Sequence, residues 1–133
     1  MGAWGADSFE NDDALDWLAD FCDDPEENVI LAALRQVADA GDGDYLEATD
    51  CSAGVAAAEV VAALKGATRY VPEDVKGCLA ASHIKPDEHL VETALRALAR
   101  VRSNSELKEL WDESGGAAEW GEALSDLESR LRR

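Results

Sequence analysis

A chain of 133 residues with 47% apolar residues and four Trp is too hydrophobic to stay disordered, despite its charge. Its longest apolar run, Val55 to Leu64, is interrupted by Glu59 and is too short to span a membrane. The net charge of −17 repels nucleic acid and anionic lipid headgroups and attracts basic partners. That charge is unevenly spread: residues 1–60 hold 16 acids against Arg35 alone, whereas residues 61–133 hold 13 acids against 11 bases. A localised acidic surface and a composition bias of the kind a GC-rich genome or a salty cytoplasm produces both remain open, although such a bias should load acids along the whole chain.

A leader containing Trp4 and Phe9 runs into a first helix expected over Asp12 to Asp23. Asn11 is a suitable cap, and Asp12 and Asp13 sit where the helix dipole favours negative charge. Ala14, Trp17, Leu18, Phe21 and Cys22 recur at helical spacing as one buried stripe, with Trp4 and Phe9 expected to dock beside it. Asp24-Pro25-Glu26-Glu27 reads as the start of a second helix, with Asp24 as cap and Pro25 in the first turn. That helix buries Ile30, Ala33, Leu34, Val37 and Ala38 and stops at Gly41. Asp39, Asp42, Gly43 and Asp44 suggest calcium, but a calcium-loop register begun at Asp42 places Leu46, Glu47 and Ala53 at its fifth, sixth and twelfth positions, so a turn is expected.

The third helix, roughly Ala53 to Leu64, is apolar nearly all round, which marks it as central, and its alanines permit close approach of neighbouring helices. Glu59 is its one charge and is expected at the wet edge. A short fourth helix starts at Pro72-Glu73-Asp74 with Val75, Cys78 and Leu79 inward, weakened by Gly77. Lys85-Pro86-Asp87 opens a fifth with the stripe Leu90, Val91, Ala94, Leu95, Leu98 and Val101; its Arg96, Arg100 and Arg102 lie outside or late. Ser103-Asn104-Ser105 caps a sixth that buries Leu107, Leu110 and Trp111 and ends at Ser114-Gly115-Gly116. The last helix aligns Ala117, Trp120, Leu124, Leu127 and Leu131, and its Arg130, Arg132 and Arg133 suit the dipole. The expected fold is all-α: one compact bundle of six or seven helices over residues 1–133 around the alanine-rich third.

Sites of chemistry are sparse. Cys22, Cys51 and Cys78 are odd in number, lack a C-x-x-C pair and fit free thiols in a reducing compartment. With no secretory segment at the start, and Ala6 where a myristoylation signal needs Ser or Thr, a soluble cytoplasmic protein is expected. Cys51, near the start of the third helix, is the one candidate nucleophile, because a helix N-terminus lowers a thiol's pKa; a small core or cap residue is the simpler reading. His83 and His89 read as surface residues with no close cysteine couple for zinc. Helix-borne pairs such as Asp13/Asp16, Asp16/Asp20 and Asp20/Asp23 have metal-sharing spacing, which keeps a metal-dependent hydrolase as an alternative. A solvent-facing row does not enclose a metal site, however, and no Glu-x-x-His motif is present. The chain is therefore read as a non-enzyme without cofactor or metal.

The sequence Gly2-Ala3-Trp4-Gly5, then Phe9-Glu10-Asn11-Asp12 with Ala14 and Asp16-Trp17, resembles the opening of a family of small bacterial proteins carried as a domain of unknown function (four-two-five-nine). Ala57-Ala58-Glu59-Val60-Val61-Ala62 and Ser105-Glu106-Leu107-Lys108-Glu109-Leu110-Trp111 are similar to later stretches of it. The resemblance implies a compact helical bacterial protein and brings no activity, cofactor or catalytic residue. The functional expectation rests on the residues: Asp12, Asp13, Asp16, Asp20, Asp23, Asp24, Glu26 and Glu27 form an acidic surface for a basic protein partner, as in an immunity- or antitoxin-type inhibitor. A passive structural protein, acidic only for solubility, is the further alternative.

Overall fold

The computed structural model describes residues 8–41, 43–67 and 73–133, and among them the chain forms seven helices and no strand. They are α1 (Asp12–Asp23), α2 (Glu27–Ala38), α3 (Ala48–Leu64), α4 (Glu73–Ser82), α5 (Glu88–Ser103), α6 (Glu106–Ser114) and α7 (Ala117–Leu131). The all-α bundle expected from periodicity is the fold. Trp4, part of the expected leader contact, lies outside the described residues; Phe9 is buried in the core as expected.

α3 is the hub. It packs against all six other helices, and Val55 through Ala62 are all buried. Small side chains let the neighbours come close. At Gly54 an added Cβ would stand 3.0 Å from Val37 Cγ2, so the α2–α3 approach is set by the absence of a side chain there. Buried residues of every helix join Phe9 and Leu46 in one hydrophobic core.

The caps show which sequence signals act locally. Asn11 Oδ1 accepts from the Ala14 N–H at 2.7 Å, and Asp87 Oδ1 accepts from the Leu90 N–H at 2.8 Å, as the capping pattern requires. Ser105 Oγ does the same for the Lys108 N–H at 3.1 Å. The Asp24-Pro25-Glu26-Glu27 signature is used differently from the expectation. Asp24 is the C-cap of α1, its N–H donating to the Phe21 carbonyl, and α2 begins only at Glu27 with no side-chain cap. The chain turns tightly between the helices, with the Glu26 N–H donating to the Asp24 carbonyl at 2.7 Å.

α3 starts about a turn earlier than its apolar run, at Ala48, because its cap comes from elsewhere in the fold. Glu106 Oε1 accepts from the Ala48 N–H at 2.7 Å, and the Glu106 N–H donates to the Leu46 carbonyl at 2.9 Å. One glutamate at the start of α6 thereby satisfies an orphan donor of α3. α2 ends at Ala38, before Gly41, and the following turn is closed by Asp44, which accepts from the Gly41 N–H at 2.8 Å. Arg100 of α5 holds the same turn by donating to the Gly41 and Asp44 carbonyls at 2.9 and 3.0 Å.

Two expectations are overturned inside the bundle. Glu59 is 4% exposed and lies within α3's buried surface, not at a wet edge. Its carboxylate meets the Arg130 guanidinium through both oxygens and accepts from Ser8 Oγ at 3.0 Å. Arg130 is no dipole ornament at the end of α7. It is buried, and it also donates to Asp126 Oδ2 at 2.8 Å and to the Ala67 carbonyl at 3.2 Å. Burial disfavours the guanidinium's charge, but the hydrogen bonds and charges of Glu59 and Asp126 outweigh it and raise the pKa above the ordinary arginine value.

The cysteines are the second correction. Cys22 of α1 and Cys78 of α4 form a disulfide with Cα atoms 5.5 Å apart, and Cys51 alone is a free thiol. The helical spacing puts both bonded residues on inward stripes, and two inward stripes that face one another bring their sulfurs together. The pairing is invisible from spacing because 56 residues separate the two positions.

Candidate functional site

The eight acids of the expected surface are assembled by local helix geometry. Asp12, Asp16 and Asp20 recur at four-residue spacing along one side of α1, with Asp23 next in the row. Asp13, one position off that row, is half-buried; the other seven of the set, including Asp24, Glu26 and Glu27, are exposed.

Among the described residues, none of the eight has an ion-pair partner. Elsewhere among these residues five acids are ion-paired. Asp39 meets Arg96 at 2.7 Å, Asp112 meets Lys108 at 2.8 Å, Glu128 meets Arg102 and Arg132, and Glu59 and Asp126 share Arg130. Among the described residues, Arg96, Arg102, Lys108, Arg130 and Arg132 pair with acids of α3, of the second half and of the residue after α2, and none of them pairs with an acid of the α1 row or of the start of α2.

The two acidic helices pack on α3 more than on each other. The gap between them is a groove of about 540 Å³. Its floor is apolar, made by Trp17, Val29, Ala32, Ala33 and Ala53, and acids line it at Asp20, Asp24, Glu26 and Asp50. Trp17 was expected in the core; it is half-buried, stacked on Phe21 with ring centroids 5.6 Å apart and planes 10° from parallel, and presents its remaining surface to the groove. A second cleft of about 410 Å³ shares Gln36 and Asp50 with the first and extends to Asp44 and the exposed Tyr45.

The structure therefore gathers three of the eight expected residues, Asp20, Asp24 and Glu26, around a shaped feature and leaves Asp12, Asp13, Asp16, Asp23 and Glu27 outside its lining. It adds Asp50, which lies in the first turn of a helix the sequence starts too late. No sequence signal marks the floor, because Val29, Ala32 and Ala53 become neighbours only through the packing of α2 on α3.

Residues 2–123 match a family model described as Domain of unknown function (DUF4259). The chain belongs to that family. The DUF4259 match covers the acidic helices, the groove and the buried Glu59, and ends within α7 before Arg130. Searches of curated proteins and of solved structures return no match for this DUF4259 chain.

The remaining candidates for chemistry are dispersed in this DUF4259 member. Cys51 is fully buried, and that burial pushes its thiol up to about 11, against the smaller lowering by hydrogen bonds from Ser105 and the Leu107 backbone. A buried, protonated thiol is a core residue, not a nucleophile. His83 and His89 are both exposed, and His89 Nε2 lies 3.4 Å from an Arg35 nitrogen. No group of three or more His, Cys, Asp or Glu is placed to hold a metal among the described residues, and none of their helices is long and apolar enough to cross a membrane.

Proposed function

We propose that this protein is a binding module whose acidic α1–α2 face captures a basic protein partner. The observation that carries the reading is that the eight acids gather on α1 and the start of α2 and that none of them is ion-paired among the described residues. Clustered like charges repel one another and oppose compaction, so a chain with 12 bases could have reduced that cost by distributing them over this face. A basic partner would supply the missing charge, and steering by such a field accelerates encounter at low ionic strength. An immunity- or antitoxin-type inhibitor of a basic toxin is one concrete form. The Cys22–Cys78 bridge favours a compartment that tolerates disulfides over the cytoplasm expected from free thiols.

Charge reversal tests the reading. Asp16, Asp20, Asp23 and Asp24 changed together to Lys should leave the helical circular dichroism intact, because all four are exposed and none begins a helix. The same variant should lose every partner that the wild type captures from its host at low salt. Asp12, Asp13, Glu26 and Glu27 are left in place, since they sit at helix N-termini where negative charge stabilises. Partners retained unchanged by the reversed protein would overturn the proposal.

A further inference from the structure

The groove between α1 and α2 differs from the rest of the acidic face in having an apolar floor. Solvated carboxylates alone favour any polycation; a floor of Trp17, Val29 and alanine side chains gains free energy only from apolar surface placed against it. Among the described residues no basic side chain lines the groove, and its charged lining is Asp20, Asp24, Glu26 and Asp50. Its volume of about 540 Å³ is that of a site for a few side chains.

We infer that this groove is a docking site for a basic segment of a partner protein, one in which an arginine and an adjacent aliphatic residue enter together. The aliphatic side chain lies on the alanine floor. The arginine's methylene stem runs over apolar surface while its guanidinium reaches the carboxylates at the rim. Arginine suits the place better than lysine because its planar group can take a carboxylate through two hydrogen bonds and also stack on the open part of Trp17. The inference rests on the proposed binding of a basic partner and goes further by assigning where the partner is read and what chemistry is read there. The outer acids, Asp12 and Asp16, steer the partner without contacting the segment that enters.

The test uses the full chain and fluorescein-labelled twelve-residue peptides: one alternating Arg and Leu, one with every Leu replaced by Ser, and one with every Arg replaced by Lys. Anisotropy at moderate salt should rank Arg/Leu tightest, with Arg/Ser weaker by roughly tenfold or more, as for loss of a buried anchor. Ala32→Trp fills the groove from an exposed helix position without changing any charge, and it should weaken Arg/Leu binding to a similar extent. Glu113→Gln with Glu122→Gln removes two exposed charges on α6 and α7, away from the acidic face, and should change it less than about threefold. If Ala32→Trp binds as wild type does, or Arg/Leu and Arg/Ser bind alike, the groove is not the docking site. The basic-partner reading would still stand on the charge-reversal captures. Absence of binding by all three peptides also overturns the inference.

Discussion

Arg130→Met should destabilise the fold by about 3–5 kcal/mol, because it leaves the Glu59 carboxylate buried with only the Ser8 hydroxyl as a described partner. For a domain whose whole stability is of order 5–15 kcal/mol, that is a large share. The loss arises from a stranded charge more than from the forfeited attraction. Replacing Glu59 by Leu at the same time should therefore recover roughly 2 kcal/mol or more, since it removes the stranded group and suits the apolar surroundings of α3. Asp126, also freed by the change, is about two-fifths exposed and can be solvated. Urea unfolding followed by circular dichroism on the two single variants and the double variant measures the coupling. Additive losses would show that Glu59 and Arg130 do not depend on each other across the α3–α7 contact.

Removing the disulfide should have the next largest effect. Cys22→Ser with Cys78→Ser opens a covalent loop of 56 residues and should cost about 2–4 kcal/mol, mainly through the greater freedom of the unfolded chain. The folded state should respond unevenly. α4 packs chiefly on α1 and α3, and of its described side chains only Val75 is buried, so the bridge is its main tether. Hydrogen exchange should speed up across Glu73–Ser82 while α3 and α5 stay protected. A thiol titration of the unreduced, unfolded wild type should count one thiol, Cys51. Three titrating thiols would contradict the bridge, and uniform loss of protection over all helices would contradict a locally tethered α4.

Local signals in the sequence were sound where the structure uses them locally. Asn11, Asp87 and Ser105 cap the helices they precede, and the α1 stripe buries Ala14, Leu18 and Phe21. The alanine run of α3 became the hub because a helix without a polar face has nowhere else to go. What escaped was set by partners distant along the chain. Arg130 reads as a helix-end cation until Glu59, 71 residues earlier, is seen to face it. Asp24 reads as the cap of α2, yet the turn that joins the helices gives it to the end of α1. Cys22 and Cys78 read as two inward thiols, and only the packing of α4 on α1 makes them a pair.

The acidic face shows the same division. Its charge is countable in the sequence, and the four-residue spacing of Asp12, Asp16 and Asp20 places them together on any helix. That none of its eight acids is ion-paired among the described residues depends in part on Arg96, Arg100, Arg102 and Arg130, each of which is held by acids or carbonyls away from α1. The groove depends on two helices sharing α3 as a support without closing on each other.

The most direct measurement is an amide chemical-shift map of the protein as a basic, arginine-containing peptide is added at low salt. The largest shifts should fall in residues 16–33 and around Asp50 and Ala53, and they should be lost as salt screens the charges over a Debye length of about 8 Å at physiological ionic strength. Shifts concentrated on α5, α6 or α7, or spread evenly over the surface, would contradict a binding face on α1 and α2.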